Sequence, residues 1–191
     1  MTQEIEIEFK NLLTKDEYKK IITCFPFPTE GVIQTNYYFE TADFLLRQHQ
    51  SALRIREKNG HYQLTLKEPL EEGLLETHDK LTKEEAENWI HGDPIPQFNT
   101  SRQLKKMNIS PEDLQYYGKL ITTRLEYKEG KLTYVLDESH YNNHSDFELE
   151  IEAPTYEKGL SAFESILETL NIPHRETPNK IERFFSTFND Q

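Results

Sequence analysis

The sequence is poor in cysteine, in positive charge and in long apolar runs, and each shortage removes a class of protein. Cys24 is the single cysteine among 191 residues, which excludes an intrachain disulfide and a cysteine-based zinc site and fits a reducing compartment such as the cytoplasm. Lysine and arginine number 22 against 34 aspartates and glutamates, a formal net charge of −12. That balance opposes binding along a nucleic-acid backbone, so any anion site must be built locally from a few inward-pointing cations. No run approaches the roughly 18 apolar residues of a membrane span, and the first residues are acidic where an export signal would be basic and then apolar. Neither a membrane segment nor a targeting signal is expected. The seven histidines are scattered, and the pair at i, i+4 spacing, His140 and His144, straddles the end of the strand expected over 131–141, where that spacing does not put both on one helix face to hold a metal.

What is present suits one globular domain spanning 1–191: 35% hydrophobic and 12% aromatic residues are enough for a sizeable core. Helices are announced by their caps. Thr14-Lys15-Asp16-Glu17 and Thr82-Lys83-Glu84-Glu85 have the form of capping boxes, followed by Tyr18, Ile21, Ile22 and Phe25 in one case and Ala86, Trp89 and Ile90 in the other. Further helices are expected over 101–107, after Ser110-Pro111, and over 160–170, where Leu160, Phe163, Ile166, Leu167 and Leu170 form an apolar stripe. Trp89 reads as a core residue. The segment 177–185, basic and aromatic, fits no single element.

The strands carry the unusual feature. In Glu4-Ile5-Glu6-Ile7-Glu8-Phe9-Lys10, side chains alternate so that Ile5, Ile7 and Phe9 share one face while three carboxylates and Lys10 share the other. Phe147-Glu148-Leu149-Glu150-Ile151-Glu152 repeats the acidic pattern. Opposite charge appears in a hairpin of 51–58 and 61–67 joined at Asn59-Gly60, the dipeptide that best tolerates a tight turn: Arg54 and Arg56 share a face, as do Gln63, Thr65 and Lys67. A strand over 72–78 would present Glu76 and His78 on one side. A second hairpin, 119–128 and 131–141 around Glu129-Gly130, places Arg124 with Thr122 and Glu126, and Asp137 with Thr133 and Val135. With 32–41 a further strand, the expectation is an α+β fold. It consists of a closed antiparallel β-barrel of about eight strands, charged inside, with helices packed outside. One face wetted by solvent is the plain alternative for each strand alone.

Buried charges are costly unless paired or used in binding, so acidic and basic strands together point to a strongly charged ligand. Arginine forks and lysines suit phosphoryl oxygens, and oxygen-only carboxylate ligands suit Mg²⁺ or Mn²⁺. Metal plus polyphosphate is the chemistry expected.

These residues resemble a known family. Glu6-Ile7-Glu8-Phe9-Lys10 is similar to the ExExK signature of the CYTH domain, or triphosphate tunnel metalloenzymes. Tyr38-Phe39-Glu40-Thr41 resembles its YFDT segment, Leu53-Arg54-Ile55-Arg56 its LRxR, Leu64-Thr65-Leu66-Lys67 its TxK strand, and Glu148-Leu149-Glu150 its late acidic strand. Asn179-Lys180 resembles the closing SK pair with Asn in place of Ser, and Glu40 stands where the family has Asp. The likeness runs over nearly the whole chain and is strongest to the small stand-alone CYTH proteins of Gram-positive bacteria. It implies a Mg²⁺ or Mn²⁺ site of Glu6, Glu8 and two of Glu148, Glu150 and Glu152, which share one strand face, with Asp137 nearby; the motif match favours Glu148 and Glu150. Lys10, Arg54, Arg56, Lys67, Arg124 and Lys180 would bind a small-molecule triphosphate. Tyr38 is a candidate for orienting water, with a packed aromatic as the alternative. The implied activity is hydrolysis of an inorganic or organic triphosphate with release of orthophosphate. A class IV-type adenylate cyclase and a non-catalytic polyphosphate or nucleotide-binding module are the alternatives. The general base and the oligomeric state are left open.

Overall fold

The computed structural model describes residues 2–190. They form an α+β fold with nine strands and six α-helices among the described residues, and every register described is antiparallel. The chain divides into two compact units.

The first unit takes the N-terminal residues as far as Ile5 together with Gln34–Leu120. Here β1 (Gln3–Glu6) runs beside β6 (Leu74–Leu81), followed by β5 (His61–Pro69), β4 (Ala52–Lys58) and β3 (Val32–Thr41), and β7 (Leu114–Glu129) neighbours β3. Asn59 and Gly60, at φ +54° and +75°, make the β4–β5 turn, as their left-handed tolerance predicts. One face of this meander is apolar. Phe39, Leu53, Ile55, Leu64 and Leu66 pack against Ala86 and Trp89 of α3 (Lys83–His91) and Leu104 of α4 (Phe98–Lys106). The expected capping box opens α3: Thr82 Oγ1 accepts from the Glu85 amide at 3.1 Å and Glu85 accepts from the Thr82 amide at 2.7 Å.

Two helices depart from expectation for identifiable reasons. α4 begins at Phe98, three residues before the expected Ser101. Asp79 on β6 accepts from the amides of Asn99 (3.3 Å) and Thr100 (2.7 Å), a cap supplied from a distant strand that local spacing cannot reveal. Ser110 makes no side-chain cap bond, and Pro111–Asp113 is only a 3₁₀ turn. The buried Glu40 accepts from the amides of Thr41 (2.8 Å), Leu46 (3.0 Å) and Arg47 (2.9 Å), so it holds the start of α2 (Leu45–Gln48).

The second unit comprises Glu6–Ile33 and the chain from Ile121 onward. The rest of β7 pairs with β8 (Leu132–Tyr141), β8 with β9 (His144–Glu152), and β9 with β2 (Glu8–Leu13). Its apolar face, Leu125, Tyr134, Leu136, Leu149 and Ile151, packs against α1 (Lys15–Cys24) and α5 (Tyr156–Leu170). A Cβ on Gly159 would lie 2.4 Å from the Phe9 ring, so only glycine lets α5 approach β2 this closely. The opening run, expected as one unbroken strand, is interrupted at Ile7, whose carbonyl accepts from the Ala153 amide at 2.9 Å. Ile5, expected on the same face as Ile7 and Phe9, is 65% exposed, because β1 pairs with β6 while β2 pairs with β9. The unassigned segment 177–185 holds all but the last residue of α6 (Lys180–Ser186).

Glu17 ties this unit together. It completes the α1 capping box through the Thr14 amide at 2.7 Å and receives both Arg175 terminal nitrogens at 2.9 Å. The Arg175 hydrogen bonds, with those from Thr14, hold its carboxyl below the ordinary 4.5 against the opposing effect of burial. A depressed acid stabilises the fold above its unfolded value and loses that contribution as pH falls through the folded one. Glu17→Gln should therefore cost about 1 kcal/mol at pH 7, allowing for solvent screening of a partly exposed pair. Urea melts at successive pH values should show the gap between variant and parent closing below about pH 4.5.

Candidate active site

The charged face of the second unit converges on one ammonium. Lys180 Nζ lies 2.5 Å from Glu150 Oε1, 2.7 Å from Glu148 Oε2 and 2.9 Å from Asp137 Oδ2. Strand register brings the carboxylates together: Asp137 on β8 faces Glu148 on β9, and Glu150 faces Lys10 on β2. Arg124, opposite Asp137 across the β7–β8 pair, donates to both its carboxylate oxygens at 2.8 and 2.6 Å and to Glu150 Oε2 at 2.6 Å. Arg183, one turn after Lys180 on α6, donates to Glu148 Oε2 at 2.7 Å, to Asp146 at 2.8 and 3.3 Å, and to the Pro178 carbonyl at 2.6 Å.

Burial disfavours the charged form of each of these acids, and the neighbouring cations oppose it. Burial pushes Glu150 upward, but Lys180 and then Arg124 outweigh it and hold the carboxyl well below its usual range. Asp137 is lowered in the same way, against burial, by Arg124 and Lys180. For Glu148 burial prevails over Lys180 and Arg183, and its carboxyl is raised. Burial also opposes the charge on Lys180, yet the three carboxylates raise its affinity for the proton well above the ordinary. Glu152, the third acid on this strand face, is 36% exposed at its side chain and is raised by burial in spite of Arg124.

Lys10 donates to Glu8 Oε1 at 2.9 Å and also to Asn179 Oδ1. Glu8 lies opposite Glu152 in the β2–β9 register, and Glu6 is the last residue of β1. Of the expected metal ligands, then, Asp137, Glu148 and Glu150 meet through Lys180 and Arg124, and Glu8 stands on the adjoining strand.

The first unit carries its own charged face. Lys67 Nζ lies 2.6 Å from Glu76 Oε1, and Arg54 Nη2 lies 3.9 Å from the same oxygen. Arg56 Nε donates to Asn36 Oδ1 at 3.0 Å. Arg54 Nε is buried with no hydrogen-bond partner, which leaves a guanidinium donor for an anion. Tyr38 lies opposite Arg54 and is 2% exposed. It shares the charged face and stands apart from the apolar cluster around Phe39 and Trp89.

The CYTH domain model matches residues 4–185, a span that includes both charged faces. The chain belongs to this family. It is 46% identical over 186 residues, 97% of this chain and 96% of the relative, to a Bacillus subtilis protein named "Putative triphosphatase YjbK". A Bacillus halodurans crystal structure named as a "putative adenylate cyclase" is 38% identical, with a TM-score of 0.92 over 97% of this chain and all of that one. A Hippeastrum protein, HpAC1, whose structure is described as revealing a dominant triphosphatase activity, aligns at TM-score 0.78 over 96% of each chain. At 24% identity it bears on the fold alone.

The residues present fit the dication that the family implies. Glu148 Oε1 is buried without a hydrogen-bond partner, and the neighbouring donors Asp137, Glu150 and Glu8 offer only oxygen, the ligand type that Mg²⁺ and Mn²⁺ prefer.

Arg183 escaped the sequence reading, although a signal for it was there. Asn179-Lys180-Ile181-Glu182 has a capping residue followed three positions later by Glu, and Glu182 does accept from the Asn179 amide at 2.7 Å. Read as a helix start, that pattern would have put Lys180 and Arg183 on one face. Replacing Arg183 with Met leaves the buried Glu148 and the half-buried Asp146 with one cation fewer. The expected cost is about 3 kcal/mol, the scale for breaking a buried pair, measurable as a lowered urea midpoint with unchanged slope.

Proposed function

We propose that the chain is a metal-dependent hydrolase of a small triphosphate-containing molecule, releasing orthophosphate, and that it works as a single domain. The observation that carries this reading is the buried cluster in which Asp137, Glu148 and Glu150 are held by Lys180 and Arg124. So many buried charges with an unpartnered Glu148 oxygen make poor structural glue and a good ligand site. The 46% identity to a relative named as a triphosphatase supports the same reading. In this proposal Glu6, Glu8, Glu148 and Glu150, with Asp137 nearby, hold Mg²⁺ or Mn²⁺. Such an ion, when bound, polarises phosphoryl oxygens and neutralises their charge. A closed barrel with a charged tunnel, which the family resemblance implies, is part of the same proposal, as is a cytoplasmic location.

The chain's own residues supply the grip. Lys10, Arg54, Arg56, Lys67, Arg124 and Lys180 bind phosphoryl oxygens, the arginines through paired donors and the lysines as point charges. Phosphoryl transfer depends on positioning and charge neutralisation more than on covalent help. On this reading Arg124 and Lys180 exchange carboxylate partners for phosphate, which keeps every buried charge compensated. Tyr38, opposite Arg54 in the β3–β4 register, would orient the attacking water on this reading. Cyclisation of ATP is the second reading, favoured by the name of the 38% identical Bacillus halodurans structure.

Purified protein with Mg²⁺ or Mn²⁺ should be offered tripolyphosphate, ATP and thiamine triphosphate, and phosphate and cyclic AMP measured. Phosphate release that is lost in Glu148→Gln is the expected result; cyclic AMP would move the assignment to a cyclase, and neither product would leave a binding module. In calorimetric titrations Arg54→Ala should weaken triphosphate binding by about 1.5–3 kcal/mol, roughly a ten- to 150-fold rise in Kd, with the melting temperature unchanged. Parent-like affinity would remove the first unit's basic face from the site.

A further inference from the structure

The first unit contains a donor set of a different kind. His78 Nε2 lies 3.1 Å from Glu4 Oε1 and 3.4 Å from Glu76 Oε2, and its Nδ1 lies 3.0 Å from Thr65 Oγ1. Among the described residues, Glu4, Glu76 and His78 are the group whose ligand atoms all fall within 4.8 Å of one another. We propose that they form a second cation site, separate in its ligands from the carboxylates around Lys180, and that it takes a borderline transition dication such as Zn²⁺.

Geometry and donor chemistry both favour this assignment. Zinc bonds of about 2.0–2.2 Å at tetrahedral angles place neighbouring ligand atoms roughly 3.3–3.6 Å apart. The His78–Glu76 separation of 3.4 Å falls in that range, and the His78–Glu4 separation of 3.1 Å needs only a small adjustment by a glutamate that is 59% exposed at its side chain. Thr65, directly across from His78 in the β5–β6 register, engages the second ring nitrogen. Thr65 Oγ1 can accept the Nδ1 proton, and in that tautomer Nε2 offers its lone pair to a cation held beside the two carboxylates. Lys67 engages the other oxygen of Glu76 at 2.6 Å, so Oε2 remains the one directed at His78.

The imidazole distinguishes this site from the oxygen-only cluster. A hard ion gains little from nitrogen, whereas zinc and cobalt prefer it. Three protein ligands also leave a fourth position open, the pattern of a site that exchanges water or an anion.

The test uses the full chain stripped with chelator, titrated with Zn²⁺ in the absence of any phosphate compound and followed by calorimetry, with Co²⁺ absorption reporting tetrahedral geometry. The parent should bind one equivalent, and both Glu4→Gln and His78→Gln should weaken that binding at least tenfold and remove the tetrahedral Co²⁺ spectrum. Glu4 is exposed, so its variant tests the site even where the His78 variant fails to fold. The thermal shift produced by Mg²⁺ with tripolyphosphate should persist in Glu4→Gln. Equal Zn²⁺ affinity in parent and Glu4→Gln, or no saturable binding by the parent, would overturn the proposal without touching the triphosphatase reading.

Discussion

A lysine surrounded by three acids is the constraint on which the second unit depends. Lys180 stands within 2.9 Å of Asp137, Glu148 and Glu150, and none of these four groups is tolerable in a protein interior by itself. Their mutual attraction offsets the loss of water only because strand register and helix position bring them to hydrogen-bonding distance together. Arg124 and Arg183 complete the compensation from opposite sides, one on a neighbouring strand and one on the same helix. The apolar reverse face, packed by α1 and α5, supplies the rigid backing without which such charges would drift apart and hydrate. Stability in this unit is therefore made on one face of the sheet and spent on the other.

The two charged faces differ in how completely they satisfy themselves. Around Lys180, among the described residues, one carboxylate oxygen of Glu148 is buried without a hydrogen-bond partner. In the first unit an arginine nitrogen of Arg54 and the amide nitrogen of Asn36 are buried without one. The Glu148 oxygen is thus an acceptor to spare, and the Arg54 and Asn36 nitrogens are donors to spare. A cation and an anion are the complements that these leftovers define.

Much of this was legible in the sequence because strands encode their faces with a period of two. Glu148 and Glu150 against Leu149 and Ile151, or Arg54 and Arg56 against Leu53 and Ile55, need no tertiary information to be sorted. Turn chemistry fixed the Asn59-Gly60 hairpin, and capping boxes located α1 and α3. Long-range bonds defeated the reading elsewhere. The start of α4 depends on Asp79, some twenty residues earlier, and the break at Ile7 depends on pairing with Ala153. Arg183 was hidden because a short helix of seven residues gives too little periodicity to stand out from its aromatic neighbours. The Glu4–Glu76–His78 group combines residues from strands far apart in the chain, and only their pairing reveals it.

The position of α6 late in the chain has a consequence for biosynthesis. Asp137, Glu148 and Glu150 leave the ribosome well before Lys180 and Arg183, and until those two residues follow, Arg124 is the one member of the trio of cations available to them. During that interval the acidic strands cannot desolvate their inner face at an acceptable cost. A nascent chain arrested before residue 180 should keep this face wet while the hairpin of β4 and β5, whose turn and apolar pairs are all local, is already able to form. The last helix is thus the latch that lets the sheet go dry, and its arrival sets the order in which the molecule becomes native.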